Sequence, residues 1–196
     1  MASGTELNPA FKLNTYLFRR KVFKFFGGEF KVYDEDGREV LHSKQKAFKL
    51  KEDFRVYSVD LNQELLTIKT PQILDIGATY NVVDATTGEA IGSLRRKGLK
   101  SIIKDEWLIL SDQGQEIGKI AESSMLGAFM SRFIDLVPQT YNVILVDGTY
   151  GAQIKQHFNP FVLKYTMKIF EQNPGIDRRL LLSAGILLAG IERRQN

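Results

Sequence analysis

Cysteine is absent from this chain, which has only five prolines, two histidines and one tryptophan among 196 residues. Without cysteine there is no disulfide, no thiolate nucleophile and no thiol for palmitoylation. A zinc site would have to combine His42, His157 and carboxylates, yet neither histidine sits in a metal-ligand spacing such as HExxH. Both read as surface or turn residues, and neither a metal nor a cofactor is expected. An apolar run long enough to span a bilayer is also missing. The apolar run Leu180 to Ile191 is twelve residues long, whereas a spanning helix needs about 20. Residues Met1 to Phe11 carry Glu6, Asn8 and Pro9 where the apolar core of a signal peptide would lie, so no secretion signal is visible. Charge of one sign is not in great excess either. The net charge of +4 permits anionic partners without requiring them.

Catalytic motifs are just as scarce. Gly114 to Lys119 superficially suggests a phosphate-binding loop, but its spacing is one residue short and it lies in a hairpin pattern. Asp105 and Glu106 are adjacent, so on a strand they point to opposite faces and cannot share acid–base work. Asp34-Glu35-Asp36 reads as a solvated turn, and Ser123-Ser124 has no nucleophile-elbow context. An enzyme with a pocket at a barrel mouth is accordingly the weakest of the three function classes considered.

What the chain does have is strand pattern. Four segments repeat one design, a strand, an Asp-to-Gly turn and a second strand, at Asp34 to Gly37, Asp84 to Gly88, Asp112 to Gly114 and Asp147-Gly148. Aspartate bonds to its own following amides and glycine supplies positive φ, so each segment predicts a hairpin. Leu163, Tyr165, Met167 and Ile169 alternate with Lys164, Thr166 and Lys168, the period of a half-buried strand. Further strands are expected at Tyr16 to Phe25, Val40 to Lys44, Phe54 to Ser58, Leu65 to Lys69, Ala90 to Arg96, Ile117 to Ala121 and Tyr150 to Gln156, roughly twelve in all. The run Leu180 to Ile191 is apolar on every side of a helical wheel, and such a helix belongs inside a protein. Pro174-Gly175 breaks the chain before it and Asp177 is placed to cap it. The fold class is therefore mainly β: a closed antiparallel barrel of about twelve strands around a buried C-terminal helix, 177–194. Residues 1–15 are expected to form an N-terminal extension and 16–196 the barrel domain. A tail anchor is the competing reading of the helix. A shorter helix, 124–135, is expected from the spacing of Met125, Leu126, Phe129, Met130, Phe133 and Ile134, either packed on the barrel or exposed as an apolar patch.

This arrangement resembles the superfamily of tubby C-terminal domains, phospholipid scramblases and LURP-one-related proteins. The resemblance rests on the Asp-to-Gly hairpins, Asp177-Arg178-Arg179-Leu180 leading into the apolar helix, Phe25-Phe26-Gly27-Gly28-Glu29-Phe30-Lys31-Val32, and Arg95 to Ser101 leading to Asp105-Glu106-Trp107. It covers the chain from about Tyr16 onward. It implies a closed barrel around a buried helix, membrane-lipid association in some members and no established enzyme chemistry in many. The scramblase branch adds a proline-rich region, a cysteine cluster and an acidic calcium-binding segment. Here Glu171 to Asp177 is too poor in carboxylates for calcium.

Two basic clusters are the candidate site. One is Arg95, Arg96, Lys97, Lys100 and Lys104, with no acid between Ile91 and Lys104; the other is Arg19, Arg20 and Lys21, interleaved with apolar residues. The plainer reading is a solvated barrel face. The sharper one, toward which the resemblance points, is attraction to anionic phospholipid or phosphoinositide headgroups by a cytoplasmic protein in peripheral contact with the membrane. A structural or protein-interaction module on the same barrel is the competing class. No nucleic-acid partner is expected, because no recognition motif for one is present.

Overall fold

A computed structural model of the chain describes residues 6–21, 29–48, 51–71, 77–97, 106–123, 139–157, 159, 161–170 and 175–191. Twelve strands follow one another as an up-and-down meander. They are β1 (Thr15–Lys21), β2 (Glu29–Tyr33), β3 (Glu39–Phe48), β4 (Lys51–Ser58), β5 (Glu64–Lys69) and β6 (Thr79–Asp84). The second half is β7 (Ala90–Arg96), β8 (Glu106–Ser111), β9 (Glu116–Glu122), β10 (Thr140–Leu145), β11 (Tyr150–His157) and β12 (Val162–Ile169), followed by helix α1 (Arg178–Ile191). Each strand pairs antiparallel with its chain neighbours and β1 closes the ring on β12. Closure leaves no unpaired strand edge. The expected helix 124–135 and residues 192–194 of the expected C-terminal helix lie outside the described residues.

In such a meander the connections alternate between two ends. At one end lie the tight turns β2–β3, β4–β5, β6–β7, β8–β9 and β10–β11. Four of them follow the aspartate and glycine pattern: Asp84 Oδ1 accepts the backbone N–H of Thr86 at 2.8 Å, and Gly88 closes that turn at φ +77°, whereas in β4–β5 it is Asn62 that takes a positive φ, +49°. Each of these five hairpins shifts register by one residue just after its turn, as between Val32 and Tyr33 or Val82 and Val83. A bulge bends its strand and adds twist, so five of them at one end curve the sheet toward closure.

Strand alternation sends Tyr16, Phe18, Phe30, Val32, Phe54, Tyr80, Trp107, Tyr141 and Tyr165 inward, all buried. They meet α1, whose residues from Leu180 to Gly190 are all buried. The helix lies inside the barrel, which removes the tail-anchor reading. No helix among the described residues is long and apolar enough to cross a membrane. Ser183 is the polar exception on this stretch, and its hydroxyl donates to the Arg179 carbonyl one turn earlier, at 2.8 Å. Before β1, Pro9–Phe11 forms one turn of 3-10 helix that buries Phe11.

The helix fits because two glycines let aromatic rings reach its backbone. A Cβ added at Gly185 would stand 2.5 Å from Phe18 Cζ and 3.0 Å from Met167 Cε; one at Gly190 would stand 2.9 Å from the Phe54 ring. This sets two effects against each other in Gly185→Ala. Helix propensity alone favours alanine by about 1 kcal/mol, but overpacking a rigid core costs about 1–3 kcal/mol. With a buried ring in contact, overpacking dominates. Gly185→Ala is expected to destabilise the fold by about 1–2 kcal/mol in urea unfolding, and a more stable variant would show that the helix seat is looser than described.

Candidate functional site

The tight turns at one end of the barrel are mostly acidic, whereas the other end mixes basic strand ends with Glu29, Asp53, Glu106 and Glu122. The five tight turns and the strand end before them hold Asp34, Glu35, Asp36, Asp60, Asp84, Glu89, Asp112 and Asp147 with a single cation, Arg38. The opposite end receives the C-terminal ends of the odd-numbered strands. There β1 ends in Arg19-Arg20-Lys21 and β7 in Arg95-Arg96, with Lys97 after it. The topology therefore brings both sequence-predicted clusters to one end. It does not bring them together. In a ring of twelve strands β1 and β7 are six positions apart whichever way they are counted, so the clusters face each other across a barrel filled by α1.

Within each cluster the side chains part company. Arg19 points outward, its guanidinium carbon 4.6 Å from the Tyr33 ring centre, and its Nε is buried with no hydrogen-bond partner among the described residues. Arg20 points the other way. It stacks on Phe30 at 4.9 Å and donates to the Gly190 carbonyl at 3.1 Å, satisfying the C-terminal end of α1. Lys21 ends β1 opposite Val162. Arg95 is exposed and donates from Nε to Thr79 Oγ1 at 3.0 Å. Arg96 is half-buried. Lys97 lies 3.3 Å from Glu106 Oε2, while Lys119 lies 3.4 Å from Oε1 as a counter-charge. Lys100 and Lys104 lie outside the described residues. Four cations that the sequence reading did not single out stand on the outer wall near Arg19 or at the same end: Lys31, Lys44, Lys155 and Lys164. They are scattered along the chain, and only strand register reveals them as neighbours. No group of three His, Asp or Glu among the described residues is arranged to hold a metal ion.

At the acidic end one buried network ties α1 to the wall. Arg179 NH1 lies 2.7 Å from Asp84 Oδ2 and 2.9 Å from Glu89 Oε2, and its NH2 lies 2.7 Å from Asp177 Oδ2. Asp177 also accepts the Arg179 backbone N–H at 2.8 Å, which makes it the helix cap its position suggested. Arg178 reaches the Leu13 carbonyl at 2.6 Å and Asn14 Oδ1 at 2.8 Å, binding the segment before β1 to the same helix end. Burial pushes the Asp84 carboxyl up. Hydrogen bonds from Thr86, Arg179 and the Thr87 amide outweigh it and hold the group below the usual carboxylate range. Arg179 is pushed the other way, above the ordinary arginine value, chiefly by its bond to Asp177.

A family model described as LURP-one-related matches residues 39–189. The chain belongs to that family, which is part of the tubby C-terminal-like superfamily. No curated protein matches it.

The Asp84–Arg179 pair gives a pH-dependent expectation. Side-chain exposures of 9% and 11% mean that little water screens it. Hydrogen bonds to charged groups contribute about 1.5–3 kcal/mol, so Asp84→Asn should lose an amount of that order at pH 7. Arg179 keeps Asp177 and Glu89, which limits the loss. Because the folded pKa lies below the unfolded one, the wild-type contribution is complete above the ordinary aspartate value and fades as pH falls through the folded one. The stability gap between wild type and Asp84→Asn should therefore narrow on acidification below about pH 4. Urea titrations across that range measure it, and a constant gap would contradict the assignment.

Proposed function

We propose that this LURP-one-related barrel associates peripherally with membranes rich in anionic phospholipid, presenting its basic end to the headgroups. The observation that carries this reading is the segregation of charge along the barrel axis. Acids line the tight turns, and both arginine-rich strand ends lie at the far end. A barrel polarised in this way is oriented by a charged plane before it makes contact. Each cation near an anionic leaflet contributes about 1 kcal/mol, so several must act together for stable docking. Phe161, between β11 and β12 at the basic end, is 63% exposed. An aromatic ring beside cations suits the headgroup boundary, where its apolar body enters and the charges stay wet. Anionic lipid is concentrated on the cytoplasmic leaflet, which would place the protein in the cytoplasm.

The interior supports an external mode of action. The helix and the inward aromatic residues pack into one buried core among the described residues, which favours contact through the outer surface. A protein-interaction module is the second reading, and a different observation favours it. Leu61 and Val146 project from tight turns at the acidic end, 73% and 71% exposed, and could meet a partner there.

Liposome flotation separates the two. The wild-type protein should float with phosphatidylserine vesicles and progressively less as salt rises, since screening reaches about 8 Å at physiological ionic strength. Combined reversal of Arg19, Arg95 and Lys97 to glutamate should weaken binding at least about tenfold with a near-native melting curve. Reversal of Asp60 and Asp112 to lysine, at the other end, should leave binding within about twofold of wild type. A wild-type protein that floats on no anionic vesicle refutes the lipid reading and leaves the interaction module.

A further inference from the structure

One outward-facing row of the barrel wall is made almost entirely of cationic and imidazole side chains. Following register from strand to strand, His157 of β11 lies opposite Lys164 of β12, and Lys164 lies opposite Arg19 of β1. Arg19 lies opposite Lys31 of β2, Lys31 opposite His42 of β3, and His42 opposite Tyr57 of β4. Strands pair about 4.8 Å apart, so the five basic positions span roughly 20 Å of wall. Like charges directly opposite each other on neighbouring strands destabilise a sheet, and packing supplies no reason for Lys164, Arg19 and Lys31 to stand in succession. The next outward-facing row adds Lys155, two residues along β11 from His157. Lys155 and Lys164 enter no ion pair among the described residues, and Arg19 Nε is buried without a hydrogen-bond acceptor. Lys31 is held by Glu39 at 2.7 Å. The chain has two histidines, and they stand at the two ends of this row.

We propose that this row is the face on which the barrel leans against an anionic phospholipid surface, and that His157 at its basic end makes the docking stronger at acidic pH. The inference rests on the lipid reading above and deepens it: it names the β11–β12–β1–β2–β3 wall, rather than the β7 side, as the contact. The row starts at the basic end in His157, the last residue of β11, and passes obliquely along the wall toward β4.

The surroundings of His157 fix the sign. His157 bonds through Nε2 to Thr166 Oγ1 at 2.8 Å and faces Lys164 on β12 and Lys155 on its own strand. Burial and then these two lysines hold it below the ordinary histidine value. An adjacent anionic surface acts in the opposite direction, so docking draws a proton onto the ring and acidification favours docking. His42 stacks on Tyr57 with ring centres 5.4 Å apart, beside Lys31 with its partner Glu39 and beside Lys44, whose Nζ lies 5.3 Å from the same Tyr57 ring. The Tyr57 hydroxyl donates to Glu64 at 3.5 Å, the acid beyond the end of the row.

The test is flotation on phosphatidylglycerol vesicles, whose phosphodiester stays ionised throughout, at pH 7.5 and pH 5.5. Wild-type binding should rise on acidification by about fivefold or more, one added charge near the surface being worth about that factor. His157→Gln should abolish the rise and leave binding at pH 7.5 unchanged. Lys155→Glu with Lys164→Glu should weaken binding at both pH values, and more than Arg95→Glu with Lys97→Glu does. All variants are checked for a near-native melting curve. A rise that survives His157→Gln overturns the pH device. Binding lost in the Arg95/Lys97 variant but kept in the Lys155/Lys164 variant overturns the wall while leaving lipid docking intact. A wild-type protein that floats at neither pH refutes the underlying reading as well. Solution binding of inorganic phosphate at the row without flotation would assign it to a soluble anion and overturn the membrane face.

Discussion

Everything in this molecule depends on the contact between an all-apolar helix and the inner wall of a twelve-stranded ring. A ring of that size cannot be filled by strand side chains alone. An unfilled lumen would forfeit the dispersion contacts that make a core dense. The helix supplies the missing volume, and its small residues set how close the wall can come: Phe18 packs against Gly185, and Phe54 against Gly190. Neither partner is stable in water without the other. A helix with Leu, Ile and Ala on every side needs the ring, and the ring needs the helix.

Filling the lumen with a helix creates a second requirement, because each end of a helix leaves backbone groups unpaired. The chain meets it with arginine at both ends, in different ways. Asp177 caps the first turn while Arg179 links it to Asp84 and Glu89 of the β6–β7 hairpin. At the far end Arg20 gives the Gly190 carbonyl a donor from β1. Two wall segments remote in sequence are thereby fixed to the plug. The same arrangement makes Arg20 part of the architecture, so that among the first cluster it is Arg19 that turns its guanidinium outward.

That distinction shows what the sequence makes legible. Strands, tight turns and the buried helix follow from period-two alternation, Asp-to-Gly spacing and an apolar run too short to span a bilayer, and all twelve strands lie where those signals point. Parity alone separates Arg19 from Arg20, since Tyr16, Phe18 and Arg20 share one face of β1. Reading Arg19-Arg20-Lys21 as a charge cluster overlooks this. The row from His157 to His42 lies deeper. Its successive members stand from 7 to 145 residues apart along the chain, so no linear motif contains them. Register decides which residues meet, and five bulges, each displacing register by one residue, lie between pattern and pairing.

The cost of the basic row is also intelligible from the plug. A sheet with like charges opposed on neighbouring strands gains by slipping register, because a one-residue slip turns those side chains to the other face. Here a slip would carry Phe18, Phe30 and Tyr165 out of contact with the helix and drive Arg19, Lys31 and Lys164 into a dry lumen. Burying charges without partners is far more costly than opposing them in water. The interior thus specifies the register so strongly that the outer wall can hold a run of cations the sheet alone would disfavour. Stability resides on one face of each strand, which leaves the other free to be shaped by what it meets.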